Sequence, residues 1–119
     1  MAETLVVGAS ENPERYAYKA VRMLREYNHD VIAFGNRPGK IGDIAISTDW
    51  NSNWSPDTIT LYVNSKIQEQ FIDRIIALRP RRVIFNPGTE NPEFQKLLKQ
   101  HSIEFEEACT LVMLTTGQY

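Results

Sequence analysis

Residues 8–15 hold the first stretch whose types and spacing point to chemistry. Gly8-Ala9-Ser10 follows the apolar run Thr4-Leu5-Val6-Val7 and leads into Asn12-Pro13-Glu14-Arg15. A glycine directly after a strand lets the backbone turn closely, and a helix opening just beyond offers unpaired N–H donors and a positive dipole end to a phosphate. Asn12 suits the N-cap, Pro13 the first helical position and Glu14 the positive end of the dipole. Ser10 adds a hydroxyl and Arg15 a fork of charge-assisted donors. A dinucleotide-binding loop carries three glycines. Here only Gly8 is kept, with Ser10 in the second place and Pro13 in the third, so the stretch also reads as an ordinary strand-to-helix turn.

A second loop follows Asp30-Val31-Ile32-Ala33-Phe34. It holds Arg37 and Lys40 and no carboxylate before Asp43. A nicotinamide dinucleotide site places an acid there to hold the adenosine ribose hydroxyls. Two cations suit a ligand with a further phosphate on its ribose, or simply a solvated turn. The remaining reactive residue types point to no catalysis. His29 and His101 both precede strands, on the edge away from a ligand. Cys109, the single cysteine, reads as a small buried hydrophobe and can make neither an internal disulfide nor a zinc site. Arg79-Pro80-Arg81-Arg82 reads as a solvated approach to a strand, and Trp50 and Trp54 as cover for the sheet. Glu104 and Glu106 share the open face of an edge strand and make no acid–base pair.

The elements that must position these residues alternate. Thr4–Val7, Asp30–Phe34, Thr58–Val63 and Arg82–Phe85 are apolar, β-branched runs that read as buried strands, with Ile44–Ile46 a short one and Ile103–Glu106 an alternating edge strand. Ala17, Ala20, Val21 and Leu24 recur at helical spacing and predict a helix from about Pro13 to Tyr27. Ser65 with Gln68 predicts a capping box opening one helix through Leu78, with Ile67, Phe71, Ile75 and Leu78 on its buried stripe. Asn91-Pro92-Glu93 repeats the first helix start, Cys109–Leu114 allows a short last turn of helix, and Asn36–Gly42 reads as loop. Strands alternating with amphipathic helices predict an α/β, Rossmann-like three-layer domain with a mostly parallel sheet of about five strands. Ligands of such sheets sit beyond the carboxyl ends of the strands, the edge that Gly8–Asn12, Gly35–Gly42, Val63–Ser65 and Asn86–Asn91 share.

The chain has 119 residues, 42% of them hydrophobic and 24% charged, so residues 1–119 are expected to form one packed domain. Thirteen basic and fifteen acidic residues leave a net charge of −2, which speaks against general nucleic-acid or membrane-surface binding. Met1–Ser10 shows no leader pattern and no apolar run has spanning length, so a soluble, cytoplasmic protein is expected.

Val7-Gly8-Ala9-Ser10, Asn12-Pro13-Glu14-Arg15, Tyr18-Lys19 and Phe85-Asn86-Pro87-Gly88 together resemble the small stand-alone CoA-binding domain proteins. Those are in turn similar to the nucleotide-binding domain of the succinyl-CoA synthetase alpha chain. The resemblance runs from about Leu5 to Cys109. It implies that Gly8, Ala9, Ser10, Pro13 and Arg15 hold a pyrophosphate and that Pro38-Gly39-Lys40, with Arg37, lies by the adenosine and its phosphate. It also implies that Val63, Asn64, Asn86, Pro87 and Gly88 flank the ligand. The chain departs from the pattern at Ala17, where many relatives have serine, at Asn86, where many have glutamine, and in the residue inserted in Asn36-Arg37-Pro38.

The expected function is therefore a non-catalytic module for CoA or an acyl-CoA, with no catalytic and no metal-ligating residue. A small NAD(P)-binding oxidoreductase is the alternative, weakened by the missing acid after Phe34. A protein-binding adaptor with Leu111-Val112-Met113-Leu114 as its apolar contact is a third class.

Overall fold

The apolar runs become the centre of a seven-stranded sheet in the computed structural model, which describes residues 3–119. Met1 and Ala2, the start of the stretch read for a leader, lie outside the described residues. In chain order the elements are β1 (Glu3–Val7), α1 (Tyr16–Glu26), β2 (Asp30–Phe34), β3 (Gly39–Ile41), β4 (Ile44–Ser47), β5 (Thr58–Leu61), α2 (Ser65–Gln68), α3 (Ile72–Leu78), β6 (Arg82–Phe85), α4 (Pro92–Gln100), β7 (Glu104–Glu107) and α5 (Thr110–Thr115). The strand order is β3-β4-β2-β1-β5-β6-β7, parallel throughout except for β3 against β4.

The α/β class and the parallel sheet are as expected, but there are seven strands rather than about five. The addition not foreseen is β3. Gly39-Lys40-Ile41 looked like loop, yet it pairs with Ile44–Ile46 around the two-residue turn Gly42-Asp43 and buries Ile41. Three residues containing a glycine carry no periodicity of their own; only the partner strand makes them one.

Leu5, Val7, Ile59, Leu61, Val83 and Phe85 point to one face, against Ile75 of α3 and Phe94 and Leu98 of α4. Trp50 and Trp54 pack on this cluster around Phe34 and Phe71, so they are cover for the sheet. Val6 and Ala33 point to the other face, against Ala17, Val21 and Leu24 of α1 and Leu114 of α5. No helix among the described residues is long and apolar enough to cross a membrane.

Two helix starts differ from expectation. Asn12 does not cap α1: its Oδ1 accepts from the Glu14 N–H (3.0 Å) and its carbonyl from the Arg15 N–H (3.0 Å), closing a separate turn before α1 begins at Tyr16. The identical triplet at Asn91 does cap, accepting from the Phe94 N–H and opening α4 at Pro92. The segment Ser65–Leu78 is two helices, not one. Asn64 is the cap, accepting from the Ile67 N–H at 2.9 Å, and Ile67 turns out to solvent rather than joining the stripe.

The amino ends of the strands are closed by polar pairs. Arg81 donates twice to the Asp57 carboxylate at 2.9 Å, while the buried Arg82 guanidinium lies 4.7 Å from the Tyr119 ring centre. The Tyr119 hydroxyl meets that of Thr4, and His29 lies edge-on to the same ring.

The hydrogen bonds from Arg81 hold the Asp57 carboxyl below its ordinary pKa, against the opposing pull of burial. A depressed carboxylate stabilises the fold above the unfolded carboxyl value, and the effect is lost as pH falls through the native value. Arg81→Met should therefore cost up to about 1 kcal/mol at neutral pH and nothing at pH ~2, read from urea midpoints at the two pH values. A second expectation concerns Gly35, where an added Cβ would lie 2.3 Å from the Ala9 carbonyl oxygen. Gly35→Ala should lower stability by ~1–3 kcal/mol with an unchanged urea slope.

Candidate functional site

The chain leaves β1 for β2 on one side and returns to β5 on the other, so the strand order reverses between β1 and β5. After β1 the chain goes to α1 on one face of the sheet; after β5 it goes to α2 and α3 on the other. In open parallel sheets such a reversal is the place where a crevice forms, outside the carboxyl ends of the two strands. The loops at this edge are residues 8–15, 35–38, 62–64 and 86–91; they overlap the expected Gly8–Asn12, Gly35–Gly42, Val63–Ser65 and Asn86–Asn91, except that Gly39–Ile41 is strand β3 and Ser65 opens α2.

Gly8 and Ala9 anchor the first loop rather than offering their amides to it. Both N–H groups donate to the Phe34 carbonyl at the end of β2, at 2.9 Å each. Gly8 holds φ +98°, and a Cβ there would stand 2.9 Å from Val63 Cγ1, so the loops after β1 and β5 touch at this glycine. Ala9 is buried, and the Ser10 hydroxyl accepts from the Asn12 N–H at 3.1 Å. The donors left without an acceptor among the described residues are the N–H groups of Ser10 and Glu11 and those of Tyr16, Ala17 and Tyr18. No side chain caps α1, and Arg15 occupies its N-cap position with its guanidinium in solvent. Pro13 is exposed beside it.

The loop continues past the ends of β2 and β4 as far as β3. There the Glu11 carboxylate lies on the Gly39-Lys40 backbone and accepts from the Lys40 N–H at 2.9 Å. The Lys40 and Arg37 side chains are exposed and, like Arg15, form no ion pair among the described residues. Nothing in the sequence marked Glu11, because the contact joins residues 29 apart.

Val63 is half-buried against the core, and Asn64 spends its side chain as the cap of α2. Asn86 is almost wholly buried. Its amide donates to Thr60 Oγ1 (2.6 Å) and the Leu61 carbonyl (2.8 Å), and its Oδ1 accepts from the Thr110 N–H (2.9 Å). It therefore ties β5, β6 and the start of α5 together. Pro87 and Gly88 are exposed beyond it, with the Gly88 N–H bonded to Glu90.

Gln68 is the second brace, fully buried, donating to the Val63 and Thr89 carbonyls (2.8 and 2.7 Å) and accepting from Asn91. The sequence marked it only as the third helical residue of a capping box. All four loops are thus linked: the first to the second through Phe34 and Lys40, the first to the third at Gly8, the third to the fourth through Asn86 and Gln68.

The Tyr62 phenol, just after β5, is buried without a hydrogen-bond partner among the described residues, and burial pushes it up to about 12, so it stays neutral at ordinary pH. Cys109 is half-buried at the N-cap of α5, less enclosed than the sequence suggested. Among the described residues no cluster of three His, Cys, Asp or Glu side chains could hold a metal ion.

With this geometry in view, the sequence matches the model of the CoA-binding domain family over residues 2–115, and the chain belongs to that family. Its structure is similar to a crystal structure of an uncharacterized protein, with 39% identity, TM-score 0.96, and coverage of 100% of this chain and 98% of that one. A cell-free-expressed protein from Thermus thermophilus has 22% identity and TM-score 0.85, over 99% of this chain and 90% of its own. A hypothetical protein from Pyrococcus horikoshii OT3 has 20% identity and TM-score 0.85, over 95% and 81%. These last two show a shared fold. Among curated proteins, none matches.

Removing the Asn86 side chain would take that partner from the Leu61 carbonyl and the Thr110 N–H, and leave the Thr60 hydroxyl bonded only to that of Thr110. Asn86→Ala should cost ~2–4 kcal/mol, since each unsatisfied buried group carries ~1–3 kcal/mol. Chemical denaturation checks this. A loss under ~1 kcal/mol would show that water replaces the amide.

Proposed function

We propose that this protein is a non-catalytic module that binds CoA or a CoA thioester across the carboxyl edge of its sheet. The observation that carries the reading is the match to the CoA-binding domain family over nearly the whole chain. The local geometry supports it. Unengaged N–H groups at Ser10, Glu11 and the first turn of α1, with the positive end of that helix and the Arg15 guanidinium, suit a pyrophosphate. Arg37 and Lys40, free of ion pairs among the described residues, suit the phosphate on the adenosine ribose. Gly8, Ala9, Ser10 and Pro13 shape the first loop, Val63 and Asn64 form the far wall, and Asn86, Pro87 and Gly88 the end of the crevice. No acid, base or nucleophile is set against a bound thioester, so the purified chain is expected to leave acyl-CoA and reduced nicotinamides unchanged.

Calorimetry with CoA, dephospho-CoA and NAD tests this assignment. CoA should bind more tightly than dephospho-CoA by ~1–2 kcal/mol, the scale of a charge-assisted hydrogen bond. The difference should shrink with salt, as screening shortens the reach of exposed charges to ~10 Å at 0.1 M. Lys40→Ala should remove most of the difference; Arg15→Ala should weaken both ligands, which share the pyrophosphate. Equal binding of CoA and dephospho-CoA would remove the ribose-phosphate assignment, and tighter binding of NAD would overturn the reading.

A further inference from the structure

Lys40 is the middle residue of β3, an edge strand whose single neighbour is β4. Ile41 and Ile44 flank the two-residue turn of this hairpin, so the next pair, Lys40 with Ala45, turns its N–H and carbonyl groups outward, away from each other. The Lys40 N–H therefore reaches the open side of the sheet, and there it donates to the Glu11 carboxylate at 2.9 Å.

Gly39 makes room for that carboxylate. A Cβ at Gly39 would lie 2.6 Å from the Glu11 carboxyl carbon and 2.9 Å from each of its oxygens, so the group rests where a side chain would begin. Gly39 is not among the glycines of positive φ, so its backbone suits any residue. What its missing side chain supplies is space. One outward N–H and the open space over a glycine make a seat for an oxyanion, with the exposed side chains of Arg37 and Lys40 in the same segment.

The occupant of the seat carries a charge that the fold does not use. Glu11 is exposed and forms no ion pair among the described residues. An uncharged acceptor would close the open edge of the strand as well. The same residue's N–H is one of the donors suited to the pyrophosphate, so its carboxylate stands where a ligand with two phosphate groups meets a like charge. Leaving the seat costs Glu11 a single exposed hydrogen bond, and an incoming phosphate gives the Lys40 N–H a new acceptor.

We infer that Glu11 is a stand-in for the ligand: its carboxylate holds the Gly39-Lys40 seat in the free protein and yields it to the ribose phosphate of CoA. Glu11 thereby limits how strongly CoA is preferred over dephospho-CoA. The inference rests on the CoA reading above and adds to it a residue that competes with the ligand.

The test is calorimetry with CoA and dephospho-CoA on the parent protein, Glu11→Gln and Gly39→Ala. Glutamine keeps an oxygen for the Lys40 N–H and removes only the charge. Glu11→Gln should raise the preference for CoA about fivefold, the factor that a unit charge about 4 Å from another supplies even in bulk water. Gly39→Ala puts a methyl group in the seat, from which the flexible Glu11 side chain can swing but which the phosphate then cannot enter. It should abolish most of the preference. A preference unchanged or lowered in Glu11→Gln would overturn the inference, since Glu11 would then merely tie the first loop to β3. A preference that survives Gly39→Ala would overturn the assignment of the seat. In both cases binding of CoA itself leaves the CoA reading in place. Binding of neither ligand by the parent and by Glu11→Gln would overturn that reading, and the inference with it.

Discussion

The Phe34 carbonyl, at the end of β2, accepts the N–H groups of both Gly8 and Ala9. Much of the carboxyl edge depends on that one acceptor. It pulls the loop after β1 sideways over β2, so closely that Gly35 cannot carry a side chain without striking the Ala9 carbonyl. From there the loop reaches β3, where Glu11 takes the Lys40 N–H, and only then turns back through Asn12–Arg15 into α1. The late start of the helix is a consequence: the chain must return before it can descend along the face of the sheet. The unengaged donors at the start of α1 are where they are because the two amides nearest the strand are already spent.

A division of labour follows between groups that brace the edge and groups that face solvent across it. Asn86 and Gln68 are amides, and an amide both donates and accepts, which lets one buried side chain satisfy carbonyls of one loop and an N–H or amide of another. Between them they join the ends of β5 and β6 to the starts of α2, α4 and α5. The cations Arg15, Arg37 and Lys40 take no part in this framework. Their long side chains remain in water, where a charge costs least. The groups that brace the edge and the cations that face solvent across it are thus different residues.

The opposite edge is closed by different means. Arg82 would be an expensive buried charge were it not held against Thr58, Glu106 and the face of Tyr119. Arg81 and Asp57 fasten the starts of β5 and β6 where their backbones first meet. The basic cluster that could have suggested a nucleic-acid patch is thereby absorbed, at two of its three arginines, into the joints between strands.

Much of this was legible in the sequence because it is local. Apolar β-branched runs closed by glycine or asparagine read as strands, and the helical spacing of Ala17, Ala20, Val21 and Leu24 selects the buried face of α1. The alternation of strands and helices makes the parallel sheet, and with it the edge at which the loops after the strands gather. Tertiary structure alone decided what depends on distant partners. Asn-Pro-Glu occurs twice, and only the path demanded of the chain separates the turn at Asn12 from the helix start at Asn91. Gly39-Lys40-Ile41 is a strand because β4 folds back on it, and Gln68 is a brace rather than a cap because Thr89 and Asn91 arrive beside it from another loop. Hydrogen bonds of that kind join residues 21 to 29 positions apart. No pattern along the chain records them, since the energy that selects them exists only once the strands have paired.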